Sequence, residues 1–171
     1  MKNRILIFLF FLSYNGFSQY VNHTAEISTG YNRIGFYNEL SYKLGLKSHN
    51  LKFGGRHYTL DNFFEKNIIG LSFDYTKIIV SNNEQLYFYP GVSISCFIED
   101  KSHAKVILKD FKVISGIGVN IVKNLSVYYQ IGFGILDVSS NLKIVGEIVK
   151  FNYFNYEMVF GLSYCFSNSS K

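Results

Sequence analysis

The sequence predicts an all-β protein: an eight-stranded antiparallel up-and-down transmembrane β-barrel preceded by a cleavable signal peptide. The first observation is strict alternation. Along 125–135 every second residue is apolar or aromatic and large, while the residues between include a serine, a glutamine and two glycines. A period of two is typical of a strand whose two faces differ. The second observation is that small residues recur on one face along the chain, and the third is that short and long connections alternate.

Eight segments carry this alternation, at residues 24–31, 36–47, 51–60, 68–80, 85–98, 108–122, 125–136 and 151–166. Several match or exceed the roughly nine to eleven residues that a tilted transmembrane strand requires. Short connections at 48–50, 81–84 and 123–124 predict hairpin turns, and longer ones at 61–67, 99–107 and 137–150 predict loops at the other end. Proline cannot donate to a ladder, so Pro90 predicts a bulge or a local loss of pairing in the fifth segment.

Residues 1–18 have the features of a Sec-type export signal, which leaves 19–171 as the mature barrel domain. Lys2 and Arg4 precede a short apolar run, and small residues lead up to a cleavage site after Ser18. The alternative is an N-terminal anchor helix, although the apolar run is too short to span a bilayer of about 30 Å. No other apolar run is long enough for a helical membrane span.

The composition limits the classes of function that fit this chain. Its 48% hydrophobic content is too high for a disordered protein. The 17 basic residues against 12 acidic ones give a charge too mild to predict a nucleic-acid partner, especially once the signal is removed. Cys96 and Cys165 alternate in opposite phases, so we expect them on opposite faces as two reduced thiols.

The small and polar face is predicted to line the interior, and the large apolar face to meet lipid. An eight-stranded barrel has an interior only wide enough for side chains to fill it, so small residues suit that side. The large face carries aromatic residues near strand ends, as membrane barrels do at the two interfaces. In water it would expose an apolar belt larger than the patches that soluble monomers show. A salt-bridged soluble surface is the alternative for the polar face.

Charges of both signs share the small-residue phase, which predicts an ion-paired interior network. Its members are Glu26, Lys43, Arg56, Asp74, Lys112 and Glu157. Hairpin pairing places Glu26 one step from Lys43. Folding the third and fourth strands about their loop places Arg56 one step from Asp74. We expect opposite charges together because an unpaired charge inside a closed barrel is expensive.

The chain resembles the small eight-stranded outer-membrane β-barrels of Gram-negative bacteria, the OmpA/OmpX-like group. The most specific match is the last strand, where Phe160, Leu162, Tyr164 and Phe166 alternate up to an aromatic end. The resemblance implies that barrel-assembly machinery reads this C-terminal pattern. It also implies a monomer surrounded by lipid in the outer membrane. Typical members end on the aromatic residue, whereas here five residues follow Phe166. A signal ending in Phe-Ser-Gln is similar to those of Bacteroidota.

No residue pattern predicts a metal or a cofactor, and the four histidines lack metal-ligand spacing. His57 is predicted on the lipid side near the outer rim. The stretch His57-Tyr58-Thr59 is loosely similar to the His-x-Ser pair of outer-membrane lipid A deacylases, in which histidine is the base and serine the nucleophile. Threonine stands at the serine position, and Glu39, expected opposite Thr59, shares the interior phase. A histidine at headgroup level is the other interpretation.

Three hypotheses for function follow. The first is a non-enzymatic outer-membrane barrel with a plugged polar interior, whose role is structural or depends on an unknown ligand of the extracellular loops, above all 137–150. The second is an outer-membrane lipid-modifying enzyme, similar to lipid A deacylases, that uses His57. The third is a secreted lipocalin-like carrier that holds a hydrophobic ligand in its cavity.

Overall fold

The computed structural model describes residues 21–61, 68–80, 85–100, 104–142 and 146–166. The predicted signal peptide and the tail after Phe166 lie outside them. The strands are β1 (Val21–Asn32), β2 (Gly35–Leu46), β3 (His49–Asp61), β4 (Ile68–Lys77), β5 (Ile79–Val80), β6 (Leu86–Asp100), β7 (Ala104–Val122), β8 (Leu125–Leu142) and β9 (Ile148–Cys165). Within the described residues, no helix has the length and hydropathy that a membrane crossing needs.

The strands form one antiparallel sheet in the order β4-β3-β2-β1-β9-β8-β7-β6-β5. A further ladder between β4 and β6 joins the two sides of this sheet and closes it into a barrel. The two-residue β5 continues β4 after a break at Ile78, so the closed wall has eight strands. The predicted eight-stranded up-and-down barrel is therefore confirmed.

The break in the wall lies beside Pro90. Pairing with β6 stops at Thr76 and resumes at Ile79, and Pro90 lies in the unpaired stretch of β6 between these points. Proline has no amide hydrogen to give to the ladder. The amide of Ile78 instead donates to the carbonyl of Ser48, at 2.6 Å. The predicted local loss of pairing at Pro90 is confirmed.

The two faces of the wall differ as the alternation predicted. Outward side chains are large, apolar and exposed, such as Leu40 (70%), Leu71 (74%) and Phe160 (63%). Inward side chains are buried and are small or polar along most of the wall, with apolar and aromatic ones towards the distal end; Ser93 and Lys112 have no exposed surface at all. The apolar surface is on the outside and the polar groups are in the lumen, which is the reverse of an ordinary soluble barrel.

Inward glycines make room for this crowded interior. A Cβ at Gly161 would lie 2.3 Å from the ring of Tyr128, and one at Gly134 would lie 1.9 Å from the backbone oxygen of Phe111. Neither position can hold a larger residue without displacing a ring or a backbone. The small face of the sequence is thus a packing requirement of the lumen.

We name the two ends of the barrel by what lies there. The terminal end carries Val21 and Phe166 together with the hairpin turns at 47–48 and 123–124. Lys47 has a left-handed φ of 55°, as tight turns require of one residue. The distal end carries the connections at 33–34, 62–67, 101–103 and 143–147. Of these, 62–67, 101–103 and 143–145 lie outside the described residues.

At the distal end the second half of the wall continues past the first. The ladder between β1 and β9 ends at Asn32, but β9 begins nine residues before the partner of Asn32. We call residues 98–100, 104–108, 137–142 and 148–156 the distal extension. The loops predicted at 99–107 and 137–150 are wrong in extent, because these residues pair as strands up to Lys105 and Ile148.

Cys96 and Cys165 lie on opposite faces of the wall, as predicted, and neither forms a disulfide. Cys96 is exposed on the outer surface. Cys165 is half-buried and follows the inward phase of Ser163 at the terminal end. The two thiols therefore face different environments.

Candidate functional site

A network of ion pairs crosses the lumen, centred on Glu157 of β9. Glu157 Oε1 lies 2.7 Å from Arg56 Nη1 and 2.9 Å from Lys112 Nζ, and it accepts a hydrogen bond of 2.6 Å from the Tyr37 hydroxyl. Lys112 Nζ also lies 2.5 Å from Asp110 Oδ2. All five side chains are buried. The network therefore ties β2, β3, β7 and β9 together through the interior.

From Arg56 the network continues along the opposite wall. Arg56 Nε donates to Glu39 of β2, and the guanidinium carbon lies 4.7 Å from the centre of the Tyr37 ring. Lys52 Nζ then lies 2.8 Å from Glu39 Oε1 and 2.7 Å from Asp74 Oδ2. Charge-assisted hydrogen bonds compensate groups that would otherwise be costly to bury. These contacts fill the middle of the lumen with paired polar side chains.

A second, smaller cluster lies nearer the terminal end. Lys43 forms an ion pair with Glu26, and Ser163 Oγ donates to Glu26 Oε1 at 3.0 Å. The Lys43 side chain is 18% exposed, whereas that of Glu26 is 4% exposed. This cluster joins β1, β2 and β9 where the chain closes on itself.

The structure places all the predicted network residues in the lumen, namely Glu26, Lys43, Arg56, Asp74, Lys112 and Glu157. Lys43 meets Glu26 at the expected offset. The expected pairing of Arg56 with Asp74 is wrong, because Arg56 lies opposite Gly70 and it is Lys52 that lies opposite Asp74. Moving the centre of a connection by one residue shifts the register by two, which changes the partner but keeps the face.

Three charges of the lumen network were missed by the sequence reasoning, and a further buried charge, Glu99, lies in the stretch predicted as a loop. Lys52 lies in phase with Arg56, and Asp110 lies in phase with Lys112, so alternation alone assigns both to the interior. Glu39 was recognised as interior in phase but was not included in the network, although it contacts both Arg56 and Lys52. The signal was therefore present in the sequence for all three.

Apolar and aromatic side chains fill the distal end of the lumen. The buried residues that pack there include Ile34, Tyr37, Tyr58, Ile68, Phe97, Leu108 and Leu136. The ring of Tyr58 lies 5.2 Å from that of Tyr37 and 5.1 Å from that of Phe97, and its hydroxyl accepts from Asn32 Nδ2 at 2.7 Å. Above the ion pairs, this packing occupies the distal part of the lumen.

The terminal end is more open. A cleft of about 230 Å³ enters the lumen between Asn22, Asn50 and Cys165 and reaches Lys43. Deeper, a cavity of about 30 Å³ is lined by polar groups that include those of Gln130, which leaves room for only a water or two. Among the residues that the structure describes, no group of three or more His, Cys, Asp or Glu side chains is placed to hold a metal ion.

His57 is half-buried on the outer surface of β3, opposite Asn38 of β2. The expectation that Glu39 lies opposite Thr59 is wrong, since the turn after β2 is centred between Lys47 and Ser48 and not on His49, which places Glu39 opposite Arg56. The Glu39 carboxylate points into the lumen, where two cations hold it. The wall of the barrel separates this carboxylate from the imidazole, so Glu39 does not orient His57 as a base.

Aromatic side chains border the apolar belt at both ends. At the terminal end, His49 Nδ1 and the Tyr75 hydroxyl lie 2.6 Å apart. At the distal end, the rings of Tyr31 and Phe36 lie 4.7 Å apart. The residues of the predicted C-terminal signal all point outward and are 46–63% exposed: Phe160, Leu162, Tyr164 and Phe166. Their placement suits the two interfaces of a membrane barrel, while their role in assembly stays a prediction.

Within the described part of the chain, the distal part of β9 presents an open strand edge. The Phe154 carbonyl accepts from Arg33 on the β1 side at 3.3 Å, and the Phe166 amide donates to His23 of β1 at 2.8 Å. Even-numbered backbone groups of β9 therefore point towards the β1 side. Since the ladder with β1 ends at Asn32, the even positions at 148, 150 and 152 have no β1 residue to pair with. Edges of this kind can accept a further strand.

The fold is found in solved outer-membrane proteins. The N-terminal β-barrel domain of Pseudomonas aeruginosa OprF superposes with a TM-score of 0.55 at 9% identity, over 85% of this chain and 97% of that domain. A major outer membrane protein of Thermus thermophilus has a TM-score of 0.49 at 13% identity, over 85% and 99% of the two chains. Neisserial surface protein A has 0.48 at 11% identity, over 85% and 95%. A scan of protein-family models and a search of curated proteins find no match.

The architecture and the OprF superposition together define the fold. The chain has the fold of a small eight-stranded outer-membrane β-barrel, with its apolar surface outside and its charges inside. The particular role of this barrel is a separate question, which the lumen and the distal extension address.

Proposed function

We propose that this chain is a non-enzymatic, non-conducting outer-membrane barrel that holds the distal extension outside the cell as an interaction surface. The observation that carries the proposal is the pairing of a solid lumen with a sheet that continues past the barrel. A channel would need an open lumen. A barrel with a purely structural role would not need a sheet that continues past the wall.

The outer wall supports residence in a membrane. Its apolar side chains form a belt bordered by aromatic residues, and covering such a surface with lipid removes roughly 25 cal/mol per Å² of unfavourable contact with water. Export by the predicted signal and insertion by barrel-assembly machinery would leave the short turns in the periplasm. The distal extension then lies on the extracellular side, and the protein acts as a monomer.

The lumen supports the absence of conduction. The ion pairs from Asp110 through Glu157 and Arg56 to Asp74 cross the interior without a break. Above them, the distal packing around Tyr58 fills the remaining space. Eight strands leave an interior only wide enough for side chains.

The open edge of β9 supports an interaction role. Backbone amides and carbonyls at an edge are completed best by another extended chain, which is how many proteins bind peptides. Lys150 is exposed on this edge, and Arg33 lies on the β1 side beside Phe154, where the edge begins. The chemistry favours an extended peptide with acidic residues facing Lys150.

The first experiment tests location and conduction. The full chain is expressed in a Gram-negative host, and we expect it in the outer-membrane fraction with faster gel migration before heating than after. In planar bilayers the purified protein should give no stable channel steps. Recovery as a soluble monomer in detergent-free buffer, or steady single-channel conductance, would contradict the proposal.

The second experiment tests the edge. Asn152→Pro removes an amide that points to the open edge and leaves the β8 ladder intact, whereas Asn152→Ala keeps that amide. The probe is a fluorescent heptapeptide of alternating valine and glutamate, with binding followed by anisotropy on protein in nanodiscs. We expect binding to the wild type and to Asn152→Ala, and loss of binding in Asn152→Pro. Equal signals from all three proteins, or no binding to any, argue against an edge-binding role.

A further inference from the structure

The outer surface of the barrel has one conspicuous gap, at Gly55 of β3. Among the described strands, Gly55 is the glycine that points outward and is exposed, since the others follow the inward phase. A Cβ built on Gly55 would meet no heavy atom within 4 Å. The gap therefore has no packing reason of the kind that explains the lumen glycines.

Large apolar side chains surround this gap. Leu40 of β2 and Leu71 of β4 are the direct cross-strand neighbours of Gly55, and they are 70% and 74% exposed. Phe53 lies two residues along β3 towards the terminal end and is also exposed. The resulting groove has a volume of about 480 Å³ and continues to Ala25 on β1. Two small outward residues, Gly55 and Ala25, thus contribute to the groove.

The width of the groove fits a single hydrocarbon chain. Neighbouring strands are about 4.8 Å apart, so Leu40 and Leu71 stand on strands roughly 9.6 Å apart with no side chain between them. A methylene touching both walls needs two contacts of about 3.5–4.0 Å. The methylenes of a single acyl chain therefore contact both leucines. Lipid chains that lie only over the tops of the leucines would leave the gap partly empty.

We propose that this groove binds one acyl chain of an outer-leaflet lipid. The groove is continuous with the apolar belt, so membrane hydrocarbon is the medium that reaches it, and the inference rests on the proposed membrane location. The groove lies near the middle of the belt, since Leu40 is four residues from Phe36 on the distal side and Tyr42 is four residues from Leu46 on the terminal side. An acyl chain of the outer leaflet would reach it from the distal side. His57, two residues distal to Gly55, is the next outward side chain that the headgroup end of the lipid meets.

The test uses the absence of tryptophan from the chain. Phe53→Trp places a fluorescent reporter at the groove. Phe133→Trp places a matched reporter on the far side of the barrel, since Phe133 is 53% exposed and Phe53 is 51% exposed. Each folded protein in detergent micelles is titrated with phosphatidylcholine that carries brominated acyl chains. We expect saturable quenching of the Phe53→Trp protein at about one lipid per barrel, and only gradual, unsaturable quenching of the Phe133→Trp protein.

Filling the groove provides the decisive comparison. Gly55→Leu in the Phe53→Trp protein should weaken the saturable binding about tenfold or more, the factor expected from losing the burial of about two methylenes. Ala25→Leu fills the part of the groove that β1 lines and serves if Gly55→Leu does not fold, which gel migration before and after heating reports. Equal quenching of both reporters, or quenching unchanged by groove filling, overturns the proposal.

The outcomes also separate this inference from the proposed function. A protein that enters vesicles but shows no saturable quenching keeps the proposed function and loses the acyl-chain site. A protein that does not enter vesicles at all loses both. If Gly55→Leu instead changes the size of the particle in detergent, the groove holds a second copy of the barrel, and the lipid proposal is overturned.

Discussion

Replacing Arg56 with methionine should destabilise the barrel strongly, because methionine keeps much of the side-chain volume and removes the charge. Arg56 has no exposed side-chain surface, and it contacts the carboxylates of both Glu39 and Glu157. Its guanidinium also lies over the Tyr37 ring. The substitution therefore leaves two buried carboxylates with fewer partners in a place that water reaches poorly.

The expected magnitude follows from the partners that remain. Removing one side of a buried ion pair typically costs about 3–5 kcal/mol. Glu157 keeps Lys112 at 2.9 Å, and Glu39 keeps Lys52 at 2.8 Å, so neither carboxylate loses all compensation. We therefore expect a loss near the lower limit, about 3 kcal/mol in the free energy of unfolding. That corresponds to roughly a hundredfold lower ratio of folded to unfolded protein.

Urea unfolding in lipid vesicles measures this value, with the folded fraction read from gel migration of unheated samples. Lys150→Met is the control, because Lys150 is exposed in the distal extension and takes no part in the ion pairs of the lumen. For it we expect a change of about 0.5 kcal/mol or less. If Arg56→Met and Lys150→Met unfold at the same urea concentration, the argument that the central ion pairs stabilise the lumen is refuted.

Three further predictions concern packing, access and assembly. Gly134→Ala should reduce the folded fraction, since its Cβ would lie 1.9 Å from a backbone oxygen. Gly55→Ala meets no atom within 4 Å and should fold normally, so equal folding of the two variants would contradict the prediction. In vesicles, a membrane-impermeant maleimide should label Cys165 at the terminal mouth and spare Cys96 on the lipid face, as mass spectrometry would show; labelling of Cys96 alone argues against the orientation of the wall. Phe166→Ala should slow assembly in cells without lowering the stability of the purified barrel, and an unchanged rate of appearance in the outer membrane would exclude a role in recognition.

The barrel itself could be predicted from sequence because lipid and a narrow lumen impose opposite demands on alternate residues. For example, Glu157 lies between Tyr156 and Met158, and this alternation assigns the glutamate to the lumen and its two neighbours to the outer face. The face on which a side chain lies does not change when the register is wrong by two residues. The lumen residues could therefore be identified even where their cross-strand partners could not. The partner of Arg56 could not be predicted, since it depends on the centre of the connection after β3.

The distal extension was harder to predict for a different physical reason. Beyond the apolar belt, a sheet has water near both faces, so its residues need not alternate. Residues 137–142 are largely polar and have the composition of a loop, yet they pair with β7 on one side and with β9 on the other. Only the partner strands show that they are part of the sheet, and this information is distant in sequence.

The arrangement of ladders also has a mechanical consequence. The wall divides into two halves, β1–β5 and β6–β9, which meet at an interrupted seam along Gly70–Thr76 and at a second seam along Thr24–Asn32. In the lumen, Arg56 belongs to the first half and Glu157 to the second, so their ion pair links the two halves. Under a pulling force, the two halves should separate at the seams before the strands within either half come apart. The barrel should therefore unfold in two large steps rather than strand by strand.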